Sequence, residues 1–217
     1  MAFTGVRQSK KQKGGRSRLL ITCGILLLAA ALLLTVYNLW SEQRAEASAT
    51  QALQELETQL EQRETPSRPL YELYPNMEMP VLQADGKSYI GVLDIPALGL
   101  SLPVISQWSY PDLKLAPCRY TGSAYSGNLI LAGHNYPSHF GGLKNLRSGD
   151  TICFTDADGN SFFYQVAELE VLDGTAVEEM TAGDWQLTLF TCTYGGQSRV
   201  AVRCVSVMPS LLENPVQ

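Results

Sequence analysis

The chain has 217 residues, enough for one domain of moderate size with extensions. It is 45% hydrophobic and 17% charged, yet six of its sixteen bases and none of its twenty-one acids fall in the first eighteen residues. The ten bases and twenty-one acids that remain give residues 19–217 a net charge of about −11, which argues against binding nucleic acid or an anionic surface by bulk electrostatics.

Residues 1–18 read as a polar, basic, disordered tail. Leu19 to Tyr37 carries no charge and is almost wholly apolar, and about 20 such residues span a hydrocarbon core of roughly 30 Å. Tyr37 and Trp40 stand where interfacial aromatics are expected. A secretory signal has a shorter apolar core, although Ala45-Glu46-Ala47 and Ala47-Ser48-Ala49 offer small-residue cleavage sites further on. The expectation is an uncleaved anchor over 19–40. Bases before it and Glu42 and Glu46 after it place the N-terminus in the cytoplasm and the rest outside.

Residues 41–64 favour helix, opening with Ser41 as cap and rich in Ala, Glu, Gln and Leu. Leu53, Leu56 and Leu60 form a narrow stripe, too short for a coiled coil, so the expectation is a solvated stalk, with a helix docked on the body as the alternative. Pro66, Pro69, Pro75 and Pro80 make 65–80 an extended linker, read as a spacer. The anchor, the stalk and linker over 41–80, a catalytic body over 81–210 and a tail over 211–217 complete the expected organisation.

From residue 88 short strands alternate with turns. The candidates are 89–94, 101–105, 128–132, 151–155, 161–171, 186–191 and 199–207, with short helices over 109–115 and 140–146. This spacing predicts a sandwich or a closed barrel. Asp156-Ala157-Asp158-Gly159-Asn160 begins like a calcium loop but lacks the required glutamate, so it reads as a hairpin turn. Glu178-Glu179 reads as a solvated pair in a loop, and neither a metal nor any other cofactor is expected. Of the five cysteines, Cys118, Cys153 and Cys204 read as reduced packing residues, with a Cys118–Cys204 disulfide open as an alternative.

Three chemistry-bearing residues sit at or beyond predicted strand ends. Leu187 to Thr191 alternates threonine with leucine or phenylalanine and leads into Cys192. Arg199 follows seven residues later and opens another strand, and Leu129 to Ala132 leads through Gly133 into His134. A thiol needs to ionise to attack a carbonyl, a nearby imidazole or guanidinium favours that form, and a fixed arginine can donate to an oxyanion. Together they make a thiol acyl-transfer set. His139 is the rival base, in a turn-like context, and Arg203 is the rival guanidinium, four residues along the same strand face as Arg199.

Thr188-Leu189-Phe190-Thr191-Cys192 resembles the TLxTC motif of sortases, the membrane-anchored cysteine transpeptidases of Gram-positive bacteria. Ile90 to Pro96 with Leu102-Pro103-Val104 resembles the family's first strands. Gly127-Asn128 leading to Ala132-Gly133-His134 resembles its histidine segment, and Phe140, Leu143, Leu146, Gly149 and Asp150 match the segment that usually comes next in the family. The likeness covers roughly residues 88–205. It implies an all-β fold, a closed eight-stranded barrel with short helical insertions after one transmembrane helix and a helical stalk. It also implies catalysis by His134, Cys192 and Arg199, with Thr191 shaping the oxyanion site, and it offers, as the alternative to a spacer over 65–80, a segment lying over the active site through Tyr71, Leu73, Tyr74 and Met77. The implied substrates are an LPxTG-like sorting signal of a surface protein or pilin and an amine of peptidoglycan or a pilin. The seven residues from Cys192 to Arg199 are short beside several sortase classes, and the reading leans to a class B or class D type. A thiol hydrolase and a non-catalytic peptide-binding barrel are the other readings.

Overall fold

The computed structural model describes residues 14–63, 69–193 and 195–208, with side chains from residue 18 onward. The expected tail before residue 14, residues 64–68 at the junction of stalk and linker, and the tail over 211–217 lie outside the described residues. The chain divides into two units, Met1–Ser41 and Glu42–Gln217.

One helix, α1 (Gly14–Glu61), begins in the first unit and ends in the second. Ser41 therefore lies inside a helix and does not cap a new one. In the first unit the helix is apolar all round. Leu19, Leu26, Leu33 and Trp40 are all more than half exposed, and the most apolar stretch has a mean hydropathy of 2.8 with none of it buried. Such a helix is long and apolar enough to cross a membrane.

In the second unit nine strands form one sheet. They are β1 (Leu82–Ala84), β2 (Lys87–Ile95), β3 (Leu100–Ile105), β4 (Cys118–Thr121), β5 (Leu129–Ala132), β6 (Thr151–Asp156), β7 (Ser161–Asp173), β8 (Leu187–Cys192) and β9 (Ser198–Ser206). The order is β1-β2-β3-β4-β5-β8-β9-β7-β6, and β6 pairs back onto β2, so β2 to β9 close into the expected eight-stranded barrel. β1 is an extra hairpin strand on β2. Neither β1 nor β4 is among the strands that the sequence pattern predicts. Two short helices, α2 (Tyr110–Leu113) and α3 (Val177–Thr181), lie between strands. Glu178 and Glu179 are thus in a helix and not in a loop.

Alternation along the strands sorts side chains between two cores. Leu102, Val104, Leu129, Leu131, Leu187, Leu189, Val202 and Cys204 fill the barrel interior. Outside, Val92, Ile105 and Cys118 from β2, β3 and β4 meet Ala52 and Leu56 of α1. The helix is therefore docked on the barrel and is not a solvated stalk. Ala45, Ala49, Ala52 and Leu56 form its buried face, and burying a side chain such as Leu56 contributes about 2 kcal/mol. Gln59 donates to the Gln83 carbonyl at 3.0 Å across this contact. The five cysteines are free, and Cys118 and Cys204 belong to different cores.

The linker is more than a spacer. Tyr71 stacks on Tyr125 at 4.7 Å and packs against Phe162 at 5.2 Å. Asp156 is buried in the β6–β7 turn, accepting from the backbone of Asp158 and Asn160 and from the Tyr125 hydroxyl. Tyr125 belongs to the connection that precedes β5, so the Tyr71 anchor lies at the end of β5 opposite to His134.

Candidate active site

β5 runs parallel to β8, with Ala132 opposite Phe190 and the Gly133 N–H donating to the Phe190 carbonyl at 3.0 Å. The same register continued by two residues sets His134 at the level of Cys192. β8 runs antiparallel to β9, and there Cys192 stands directly opposite Arg199. The three residues thus come to one level at one end of three adjacent strands. Alternation also gives them one face. Leu129, Leu131, Leu187, Leu189 and Val202 point into the barrel, so Cys192 and Arg199 point out of it.

Local sequence explains the geometry. Gly133 is held to glycine by a close approach, since a Cβ there would lie 2.4 Å from the buried Phe140 ring. The chain then turns, with the Phe140 N–H donating to the His134 carbonyl and the Gly141 N–H to the Tyr136 carbonyl. The short Cys192–Arg199 spacing is a tight hairpin. Gly195 and Gly196 take φ of 87° and 73°, a region that favours glycine, and the Gly196 N–H donates to the Thr193 carbonyl.

Cys192 is half-buried beside a groove of about 240 Å³ lined by Trp108, Tyr120, Met180, Phe190 and Arg199 among others. A smaller recess of about 100 Å³, lined by Asn135, Gly141, Lys144 and Thr193, reaches it from another side. Cys192 and Thr191 line both. His134 lines neither, but its neighbours Gly133 and Asn135 line one each. The thiols of Cys118 and Cys204 are buried, and desolvation pushes both up to about 12.

His134 stacks on Tyr136 with ring centres 4.1 Å apart and planes 7° apart. Its Nδ1 accepts from the Asn135 N–H at 3.0 Å, which leaves Nε2 to carry the proton of the neutral ring. Burial, and then the Lys114 charge, hold its pKa below the ordinary histidine value. His139 is fully buried, and neither ring nitrogen makes a well-formed hydrogen bond among the described residues. Burial and the neighbouring His134 push it down to about 4, opposed only in part by the Leu115 backbone.

Arg199 donates through Nη1 to the Gly196 carbonyl at 2.9 Å and the Ser198 carbonyl at 3.1 Å. Arg203 is only 2% exposed and is consumed by internal partners, so it does not reach the thiol. Thr191 points the other way along β8. Its hydroxyl is buried without a partner among the described residues, so the groove meets its backbone. The sequence pattern did not point to the aromatic wall, where Trp108 meets Tyr110 at 4.9 Å, Trp108 meets Tyr120 at 6.1 Å and Tyr120 meets Phe190 at 5.3 Å. The signal that could have found it was Trp108-Ser109-Tyr110, two large aromatics in a turn segment, with Tyr110 74% exposed.

A closed barrel with a half-buried cysteine at the end of one strand, facing an arginine and neighboured around the wall by a histidine, matches one family. The family model for the sortase domain matches residues 93–207, more than half of the chain, and the protein belongs to the sortase family. Sortase A of Bacillus anthracis is 25% identical over 176 residues, 79% of this chain and 78% of that one. Among solved structures, a Clostridium perfringens sortase D5 transpeptidase aligns with a TM-score of 0.56 at 20% identity, covering 75% of this chain and 99% of that one. Sortase C2 of Group B Streptococcus Pilus Island 1 aligns with a TM-score of 0.51 at 19% identity, covering 70% and 97%. Both structures share the fold.

Proposed function

We propose that the protein is a cysteine transpeptidase that cleaves an LPxTG-like sorting signal and transfers the acyl group to an amine of peptidoglycan or a pilin. The observation that carries this reading is the common level and common face of Cys192 and Arg199, with His134 alongside. The Cys192 thiolate attacks the threonine carbonyl of the signal, and the carbonyl π electrons move to oxygen. Arg199 donates to that oxyanion and to neighbouring substrate carbonyls, and the backbone at Thr191 shapes the site around it. As the C–N bond breaks, His134 in its charged form, its ring released from the Asn135 N–H, gives a ring proton to the departing amine, leaving a neutral imidazole and a thioester on Cys192. The incoming amine then attacks the thioester, His134 takes its proton, and the Cys192 thiolate leaves.

Two recesses meeting at one thiol support a two-substrate reaction, because donor and acceptor can approach from different sides. The apolar helix supports a single-pass anchor with the N-terminus in the cytoplasm and the barrel outside, next to membrane-borne substrates. Both small-residue motifs that resemble cleavage sites lie within α1, and Ala45 and Ala49 are buried. This supports an anchor that is retained.

The test is incubation of the full chain in detergent with LPxTG-like and NPxTx-like peptides, with and without triglycine, then mass spectrometry of the products. The expected product is a peptide ligated to triglycine, absent with Cys192→Ala. Cleavage by water alone, whatever amine is supplied, would instead identify a thiol hydrolase. Binding without turnover would identify a peptide-binding barrel.

A further inference from the structure

Arg203 has an unusual position for a buried guanidinium. It projects from the outer face of β9, where no barrel core surrounds it, yet it is covered. What covers it is α3. Nη1 donates to the Met180 carbonyl at 2.8 Å and to the Thr188 hydroxyl at 3.2 Å. Nη2 donates to the Glu179 carbonyl at 2.6 Å, and Nε donates to Glu170 at 2.9 Å. One side chain therefore ties three segments together: β7 through Glu170, β8 through Thr188 and the last turn of α3 through two carbonyls.

α3 needs such a tie. It is five residues long and its N-cap, Ala176, makes no side-chain cap. A helix of this length does not hold itself together in water. Its buried residue is Met180, and Met180 lines the groove at Cys192. Met180 also lines a second recess of about 230 Å³, which runs on past Thr188, Ile130 and Trp185. Met180 lines both, so the shape of each depends on where Met180 sits, and Arg203 holds the carbonyl of that residue.

We propose that Arg203 is a positioning residue for peptide binding: through Glu179 and Met180 it clamps α3 as the wall of the groove, and so sets how tightly and how selectively an extended peptide is held. It touches neither the thiol nor the scissile bond. The inference rests on the reading of that groove as the peptide site. A wall that is already fixed spares binding the entropy of ordering it.

The test compares wild type with Arg203→Met, Arg203→Lys and Glu170→Gln in the full chain, with three readouts. Hydrogen exchange of the amides of 176–182 reads the clamp without any substrate. It is expected to speed up in Arg203→Met and less so in Glu170→Gln. Steady-state transfer of an LPxTG-like peptide is expected to show KM raised about tenfold in Arg203→Met with kcat little changed, the worth of one charge-assisted hydrogen bond. Arg203→Lys, a point charge able to serve fewer acceptors, is expected to fall between. Alkylation of Cys192 by iodoacetamide is expected to keep its rate, since the thiol is not disturbed. If Arg203→Met does not fold, Glu170→Gln carries the same comparison. Unchanged KM and unchanged exchange in a folded variant would overturn the proposal and reduce Arg203 to a core ion pair. If wild type turns over no peptide, the functional reading fails, and the exchange data still decide whether the clamp exists.

Discussion

Arg199 and Arg203 are four residues apart on the same face of β9, and they live in different surroundings. Arg199 stands at the strand's start, opposite Cys192, and its two hydrogen bonds among the described residues go to carbonyls of its own hairpin through a single nitrogen. Arg203 stands mid-strand under α3, with four bonds shared among all three nitrogens. The same contrast runs through the thiols. Cys192 borders the groove, whereas Cys204, opposite Leu187 on the neighbouring strand, is sealed in the core. Residue type does not separate a reactive group from a structural one. What separates them here is cover: α3 lies over Arg203 and the barrel core encloses Cys204, whereas Arg199 and Cys192 border the groove.

The largest expected effect tests that contrast directly. Cys192→Ala should abolish transfer, lowering kcat on the order of 10⁴ or more, with the melting temperature nearly unchanged. Cys204→Ala should do the reverse, keeping activity while costing about 1 kcal/mol of stability measured by urea unfolding. Loss of activity in a folded Cys204→Ala protein would break the comparison.

Arg199→Ala comes next. Losing a donor to the oxyanion should lower kcat about 10²–10³-fold, with little change in stability because the side chain is partly exposed. Arg199→Lys should recover only part of it, because a point charge does not reproduce the guanidinium fork. A stability loss as large as that of Arg203→Met would show that the two arginines do the same job.

The histidines sharpen the contrast by pH. His139 is buried and held neutral, with its pKa lowered to about 4 in the folded chain against an ordinary 6.5. The unfolded chain therefore takes up the proton first as pH falls. Stability is intact above about pH 6.5 and declines toward pH 4, by about 3 kcal/mol in all from this residue. Carboxylates contribute in the same range, so the measurement is a difference: His139→Phe should flatten the change in unfolding free energy between about pH 7 and about pH 4.5. An unaltered slope would mean that His139 is already protonated, or accommodated, in the fold.

The placement of the candidate site residues was legible in the sequence because each lies at or just beyond one end of an apolar run, and such runs are what periodicity detects. Leu129 to Ala132 and Leu187 to Cys192 are strands within a residue of where the pattern put them. β4 escaped because four residues with an arginine, between Pro117 and Gly122, give too short a pattern. The docking of α1 was only the alternative reading, for a different reason. Its buried face is mainly Ala45, Ala49 and Ala52, and alanine permits close approach without announcing hydrophobicity. The three leucines that drew attention include two that are only partly buried, Leu53 and Leu60. α3 escaped because Arg203 holds it across more than twenty positions of sequence, and no local pattern encodes that.

The smallest effect concerns the reach of one charge. Burial is the main cause of the lowered His134 pKa, and the positive charge of Lys114, just after α2, is the second. Lys114→Gln should therefore raise the pKa of His134 without restoring its ordinary value, because burial remains. An NMR titration of the His134 ring proton reads this shift. The limb of the pH–rate profile set by the imidazole should move to higher pH with it, since the charged form that protonates the leaving amine then persists further up. Salt supplies an independent check. At about 1 M ionic strength the Debye length falls to about 3 Å, so a charge acting through solvent is screened while a burial effect is not. High salt should thus move the wild-type titration in the same direction as Lys114→Gln and leave the variant almost still. If both proteins move equally, Lys114 is not the charge that the ring feels.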